Sequence, residues 1–202
     1  MKAMLDRKLM IGVFLATGLG LAARGAEPTA FELVKEGNRY VGEQAKDRIV
    51  QIRSDKSVGT TTPNVWYVVY YDPTATLNAT EVKFAAGKMQ AVKRPPRVLE
   101  PVTGGDVPLD RDKLKVDSDQ AIKTVLKEPQ LENIKVTATR LKLQRAAQGA
   151  LGVSQTGEPV WIVRLWATKL RDATREADIG EVYVNATDGK VVRTDLHLNR
   201  LD

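Results

Sequence analysis

The stretch Gly180-Glu181-Val182-Tyr183-Val184-Asn185-Ala186-Thr187-Asp188-Gly189-Lys190-Val191-Val192-Arg193-Thr194 decides the reading of the fold. Val182 and Val184 alternate with Glu181, Tyr183 and Asn185, the period-two pattern of a strand with one covered and one open face. Asp188-Gly189 supplies two residues that tolerate positive φ, and Val192, Thr194 and Leu196 alternate with Arg193 and Asp195 on the return. The pattern predicts a β-hairpin.

An approximate copy of this hairpin lies at 80–92, where Glu81, the apolar pair Val82 and Phe84, a Gly87-Lys88 turn and Val92 follow in the same order. Each hairpin has a strand upstream, Trp66-Tyr67-Val68-Val69-Tyr70-Tyr71 in one case and Trp161-Ile162-Val163-Arg164-Leu165-Trp166 in the other, both of the form Trp-x-Val-x-x-aromatic. The two Trp residues are 95 apart and the two Glu-Val pairs 100 apart, so the copies differ by a short insertion in one loop. This internal similarity predicts an α+β fold of two tandem repeats, each a helix packed on one face of an antiparallel β-sheet.

The helices are read from the segments ahead of the strands. In the first half Phe31, Val34, Val41, Ala45, Ile49 and Ile52 fall near three- and four-residue spacings, and Thr29 with Glu32 forms a capping-box pattern. Gly37 and Gly42 break this predicted helix in two. In the second half Asp117 or Ser118 caps a helix carrying Ala121, Ile122, Val125 and Leu126, which Pro129 ends. Strands at about 135–145 and 160–169 precede the hairpin. The segment 94–116, with Pro95, Pro96, Pro101, Gly104, Gly105 and Pro108, reads as a linker. The expected organisation is therefore 27–93 and 117–202 as the two units, with solvent-facing or partner-contacting loops at 146–159 and 170–178.

Lys2, Arg7 and Lys8 precede an uncharged run over 9–23, and Ala22, Ala23, Gly25 and Ala26 follow as small residues, the layout of a secretory signal peptide spanning 1–26. The run is shorter than the roughly 20 apolar residues that cross a bilayer, so no stable membrane anchor is expected after cleavage, and a periplasmic or secreted location follows. Removing Lys2, Arg7, Lys8 and Arg24 together with Asp6 lowers the formal net charge of +6 by three, too mild a surplus to imply nucleic acid. With 0 Cys, the exported chain has no disulfide framework and no thiolate nucleophile or metal ligand.

Catalytic chemistry is not visible. His197 is the single histidine, which rules out a histidine-rich zinc site, and no Gly-x-Ser-x-Gly elbow accompanies it. Asn185-x-Thr187-Asp188-Gly189 resembles the start of a calcium loop, yet Leu196 stands where its twelfth, acidic ligand belongs, so the turn explains it better. No phosphate-binding glycine loop occurs. The chain is read as non-enzymatic, with no metal and no cofactor.

The candidate binding residues come from alternation. If Trp161, Val163 and Leu165 face a helix, then Arg164 and Trp166 face away, as do Arg140 and Lys142 opposite Leu141 and Leu143, and Tyr183 opposite Val182 and Val184. Adding Arg193, and Tyr67 and Tyr71 from the first half, gives an outer face of aromatic and cationic side chains, the composition of interface hot spots. Two structural explanations compete: the two outer faces pack on each other, or the same residues stabilise the sheet as cross-strand pairs.

The order helix, Trp-x-Val strand and Glu181-Val-Tyr-Val-Asn-Ala-Thr-Asp-Gly-Lys-Val-Val192 resembles the PepSY domain, whose last hairpin carries an Asp-Ala-x-Thr-Gly-Lys-Val type string. Asn185 and Asp188 stand where that family often has Asp and Thr, and 80–92 is a weaker match that lacks part of the turn. The resemblance implies a secreted or envelope-associated module that binds or restrains other proteins. Related domains inhibit in the propeptides of thermolysin-type peptidases, and the fold is similar to the repeats of beta-lactamase inhibitory proteins. What it implies is a protein partner in the cell envelope or outside the cell, with inhibition or regulation of a peptidase or another envelope protein as the expected role. The alternative is a small-ligand-binding or envelope-sensing module with a pocket between sheet and helix or between the two units.

Overall fold

The computed structural model describes residues 27–75, 77–94, 107–146, 157–170 and 175–201. The expected signal peptide, most of the expected linker, most of the 146–159 loop and part of the 170–178 loop lie outside the described residues. Eight strands form one sheet: β1 Ile49–Ser54, β2 Val65–Tyr71, β3 Ala79–Ala85, β4 Lys88–Lys93, β5 Ile134–Arg145, β6 Pro159–Lys169, β7 Ala177–Asn185 and β8 Val191–Leu196. Their order is β4-β3-β2-β1-β5-β6-β7-β8 with every neighbour antiparallel. Two eight-residue helices, α1 Ala30–Gly37 and α2 Ser118–Val125, and short 3-10 turns complete the described elements.

This architecture corrects the expected one. The fold is dominated by a single eight-stranded antiparallel sheet, not by two tandem repeats with a helix packed on a sheet in each. The physical cause is β1. Its residues continue the helical spacing, but Gly37 ends α1, and Asn38 and Asp47 close the intervening loop through a reciprocal pair of hydrogen bonds, 2.8 and 3.0 Å. Asp47 adopts φ 60°, and the chain leaves it as Ile49-Val50-Gln51-Ile52, three of them β-branched, which pairs with β2 on one side and β5 on the other. Every residue of β1 is buried, as a central strand requires.

One hydrophobic core spans the sheet. Ile52, Trp66, Val68, Tyr70, Val82 and Phe84 join Leu141, Leu143, Trp161, Val163, Leu165, Val182 and Val184 in a single cluster, with Leu33 and Val34 of α1 and Ile122 and Val125 of α2 packed on it. Both helices thus cover the same face. Their N-termini are tied together: Ser118 Oγ accepts the Ala30 N–H at 3.0 Å and Asp117 Oδ1 accepts the Phe31 N–H at 3.1 Å, so α2's own cap also satisfies donors that α1 leaves open. The capping box at Thr29 and Glu32 is present as the sequence pattern has it. At the other end, Gly37 lets α1 approach β2 closely, since a Cβ there would lie 2.2 Å from Tyr70 Oη. From the expected linker, Leu109 and Val116 are buried in this core, and Val116 O accepts the indole N–H of Trp161 at 2.8 Å.

The Asn185–Lys190 turn differs in detail from the expectation. Only Gly189, φ 76°, has positive φ; Asp188 does not, and its carboxylate accepts the Lys190 N–H at 3.0 Å instead. Asn185 Oδ1 accepts the Thr187 N–H at 2.7 Å, an Asx turn that starts the reversal.

Candidate binding face

Opposite the helices the strand register aligns one side chain from each strand into a row: Ala91, Lys83, Tyr67, Arg53, Lys142, Ile162, Tyr183 and Arg193, from β4 to β8. Four of the expected residues, Tyr67, Lys142, Tyr183 and Arg193, lie on it. Arg140 and Arg164 pair with each other in the adjacent row, which continues to Glu181 and Asp195. Trp166 lies beyond them on β6, opposite Ala138 and Asp178. Tyr71 does not join this group. It sits four residues, roughly 13 Å, from Tyr67 on the opposite side of the row, in a small cluster with Val50, Val69 and Ala79, and the Arg48 guanidinium lies 4.3 Å from its ring centroid.

The face is held by cation-to-ring stacking and by ion pairs. Tyr67 is 6 % exposed because the Arg53 guanidinium covers its ring at 4.0 Å and Lys83 Nζ approaches it at 5.3 Å, while its hydroxyl donates to Asp55 at 3.1 Å. Arg53 also binds Glu81, and both side chains are buried. Beside them Glu81 Oε1 and Gln51 Nε2 are buried without a hydrogen-bond partner among the described residues. Tyr183 is 8 % exposed; its hydroxyl donates to Glu181 at 2.8 Å and Arg193 stacks at 5.6 Å. Burial first, and the Glu181 carboxylate second, push the Tyr183 phenol up to about 12.

Around Trp166 the contacts are denser. Lys56 Nζ stands 4.7 Å from its ring centroid and Arg164 at 5.8 Å. Lys56 pairs with Glu176 at 2.7 Å, and Thr137 Oγ1 donates to the same carboxylate, which together hold the Glu176 carboxyl below its ordinary range against the opposing effect of burial. Arg164 Nε donates to Asp178 at 2.8 Å. Burial pushes the Asp178 carboxyl up, but the hydrogen bonds from Arg164 and the Gly180 N–H, with the charges of Arg164 and Arg200, outweigh it and leave the carboxyl below its ordinary value. Trp166 is half-buried and Arg193 exposed; Arg140, Lys142 and Arg164 are half-buried.

Sequence reasoning did not find Arg53, Lys56, Glu81, Glu176 or Asp178 as parts of this face. The helical spacing across β1 hides Arg53, although the β-branched Ile49, Val50 and Ile52 are a usable signal for a strand. Of the two cations on the Trp166 ring, Arg164 lies on the same strand, while Lys56 comes from a segment remote in sequence, which no spacing encodes. On the helix face a cavity of about 420 Å³ lies among Phe31, Val34, Ile49 and Leu114, crossed by the Arg111–Asp47 ion pair at 2.8 Å. No group of three His, Cys, Asp or Glu side chains placed to hold a metal ion occurs among the described residues. Comparison with protein-family models, with curated proteins and with solved structures finds no match.

Proposed function

We propose that this chain is a non-enzymatic exported binding protein of PepSY type that holds a protein partner against the sheet face turned away from its helices, and that this contact inhibits or regulates a peptidase or another envelope protein. The observation that carries the reading is the group of cationic and aromatic side chains that reach solvent on this face, Lys142 and Arg193 in the row, above the buried Tyr67 and Tyr183 rings, with Trp166, Arg140 and Arg164 next to it. Tyr, Trp and Arg are the residues that dominate binding energy in protein interfaces, and here cations stacked on the rings hold them in fixed orientations, which lowers the entropy lost on binding. The resemblance of 181–192 to the PepSY hairpin supports export and protein binding.

The test is capture of partners from an envelope extract with immobilised wild-type protein and with Trp166→Ala and Arg140→Ala variants that melt as the wild type does. A stoichiometric partner retained by the wild type and lost by both variants supports the reading. Equal retention by all three, or none by any, overturns it. The cavity bounded by Phe31, Val34, Ile49 and Leu114 favours the second reading, a small-ligand or sensing module; thermal stabilisation by a small molecule, abolished by Val34→Trp, would support it instead.

A further inference from the structure

The two edges of the sheet are chemically unlike. β4 carries lysine at both ends, Lys88 and Lys93, so a second copy laid antiparallel and in register on it sets lysine against lysine. That is a common way to keep an edge from pairing with itself. β8 has the opposite character. Its sequence Val191-Val192-Arg193-Thr194-Asp195-Leu196 places a cation and an anion symmetrically about Thr194 on one face. A two-fold axis through Thr194 therefore sets Arg193 of each copy directly opposite Asp195 of the other, and Thr194 opposite Thr194.

The backbone is oriented for the same axis. His197 donates its N–H to Ile179 O at 2.7 Å, and the alternation of an antiparallel ladder from that bond turns the N–H and C=O of Thr194 and Leu196 away from β7. Thr194 thus presents a donor and an acceptor at the point where a two-fold pair exchanges two hydrogen bonds. No other described strand pairs with this side of β8. Within one chain Arg193 Nη2 and Asp195 Oδ2 are 3.5 Å apart with both side chains about half exposed, so each is placed to bridge to its counterpart across the axis.

From the β8 edge we infer that the protein forms a two-fold homodimer, β8 on β8 in antiparallel register centred on Thr194, which joins two eight-stranded sheets into one. The interface is isologous and closes at two copies, because the β4 edges left at the outside repel their own kind. The row ending at Arg193 continues across the axis into the row of the second copy that ends at Asp195, behind Glu181, Arg164 and Arg140, so the dimer presents one face twice as wide.

Analytical sedimentation of the purified protein over a concentration series tests this with charge reversals. Wild type is expected to sediment as a dimer that dissociates to monomer on dilution. Arg193→Asp and Asp195→Arg each place like charges in both symmetric contacts and weaken the dimer by roughly tenfold or more. Mixing the two variants sets an all-acidic edge against an all-basic one, which restores opposite charges in both symmetric contacts, and a heterodimer of near wild-type affinity is expected. Thr194→Pro, tolerated on an edge and removing only the outward N–H, provides a second route to the monomer that leaves the β7–β8 ladder intact. A wild type that is monomeric throughout, a dimer indifferent to both reversals and to Thr194→Pro, or a mixture that fails to associate overturns the inference.

Discussion

Trp161 and Trp166 stand five residues apart on β6, and truncating each to alanine measures how differently the two faces of the sheet contribute. Trp161 is fully buried, packs near Phe31 at 6.2 Å between centroids, and donates its indole N–H to Val116 O at 2.8 Å. Removing a buried Trp costs about 3–5 kcal/mol, and the Val116 carbonyl left without a donor adds about 1 kcal/mol or more. Trp166 is half-buried and loses mainly its stacking with Lys56 and Arg164, each worth about 0.5–1 kcal/mol, so roughly 1–2 kcal/mol in total. At this chain length 1 kcal/mol corresponds to about 2–4 °C in Tm, so Trp161→Ala should lower Tm by roughly 10–20 °C and Trp166→Ala by roughly 2–8 °C. Paired thermal melts with denaturant titrations give both numbers. If Trp166→Ala destabilises as much as Trp161→Ala, the far face is an interior surface, and the proposed binding role of Trp166 fails with it.

Gly180, φ 109°, sits where a Cβ would lie 2.1 Å from Asp195 O, so Gly180→Ala must push β8 off β7; a loss of about 3 kcal/mol or more and faster hydrogen exchange in 191–196 are expected. Asp178 and Glu176 have carboxyls lowered in the folded state, so the stability they contribute is present above the ordinary carboxylate range and is lost as pH falls through the lowered values; Tm should drop in acid, and Arg164→Met should flatten that drop. Tyr183 should ionise late in an alkaline absorbance titration, at about 12, and Glu181→Gln should bring it down only in part, because burial is the larger cause. Ser54→Ala leaves the buried Leu141 N–H without its acceptor at 2.9 Å and should cost about 1–3 kcal/mol in a denaturant melt.

The hairpins, the two Trp strands, the Thr29–Glu32 capping box and the cap at the start of α2 were legible because each is local: period-two alternation, a Gly-containing turn and a Ser/Thr/Asp cap act within a few residues. β1 was not. Its apolar residues continue a spacing that also fits a helix, and what decides between the two is the Asn38–Asp47 bonding and the pairing offered by β2 and β5, partners that are remote in sequence. The same remoteness explains the binding face. Alternation puts Arg164 and Trp166 on the side away from Trp161, but that Lys56 stacks on Trp166 and Arg53 on Tyr67 depends on how separate strands and loops line up. A one-residue slip in the β1–β5 register would turn Arg53 from Lys142 and break the row.

That register rests on little backbone. Only Ile52 with Leu143 and Arg53 with Lys142 pair directly between β1 and β5, and beyond Arg53 one backbone bond, from the Ser57 N–H to Thr139 O at 2.8 Å, and side-chain hydroxyls take over from the ladder. Ser54 Oγ accepts the Leu141 N–H at 2.9 Å, Ser57 Oγ accepts the Thr139 N–H at 2.8 Å, and Thr139 Oγ1 donates to Thr61 O at 2.7 Å. The Ser54, Ser57 and Thr139 side chains are buried, so losing either serine hydroxyl leaves an unsatisfied N–H in the interior, and losing the Thr139 hydroxyl leaves the Thr61 carbonyl without its donor. On one side of the seam the buried Arg53–Glu81 pair ties β1 to β3 across β2 and adds register there more than stability: its desolvation offsets much of its Coulomb gain, but a β1 slipped along β2 would strand either charge alone. The seam that joins the two halves of the sheet is thus specified by two strand pairs, one further backbone bond and the serine and threonine hydroxyls. The residues of the proposed binding row are in line only while that seam is closed.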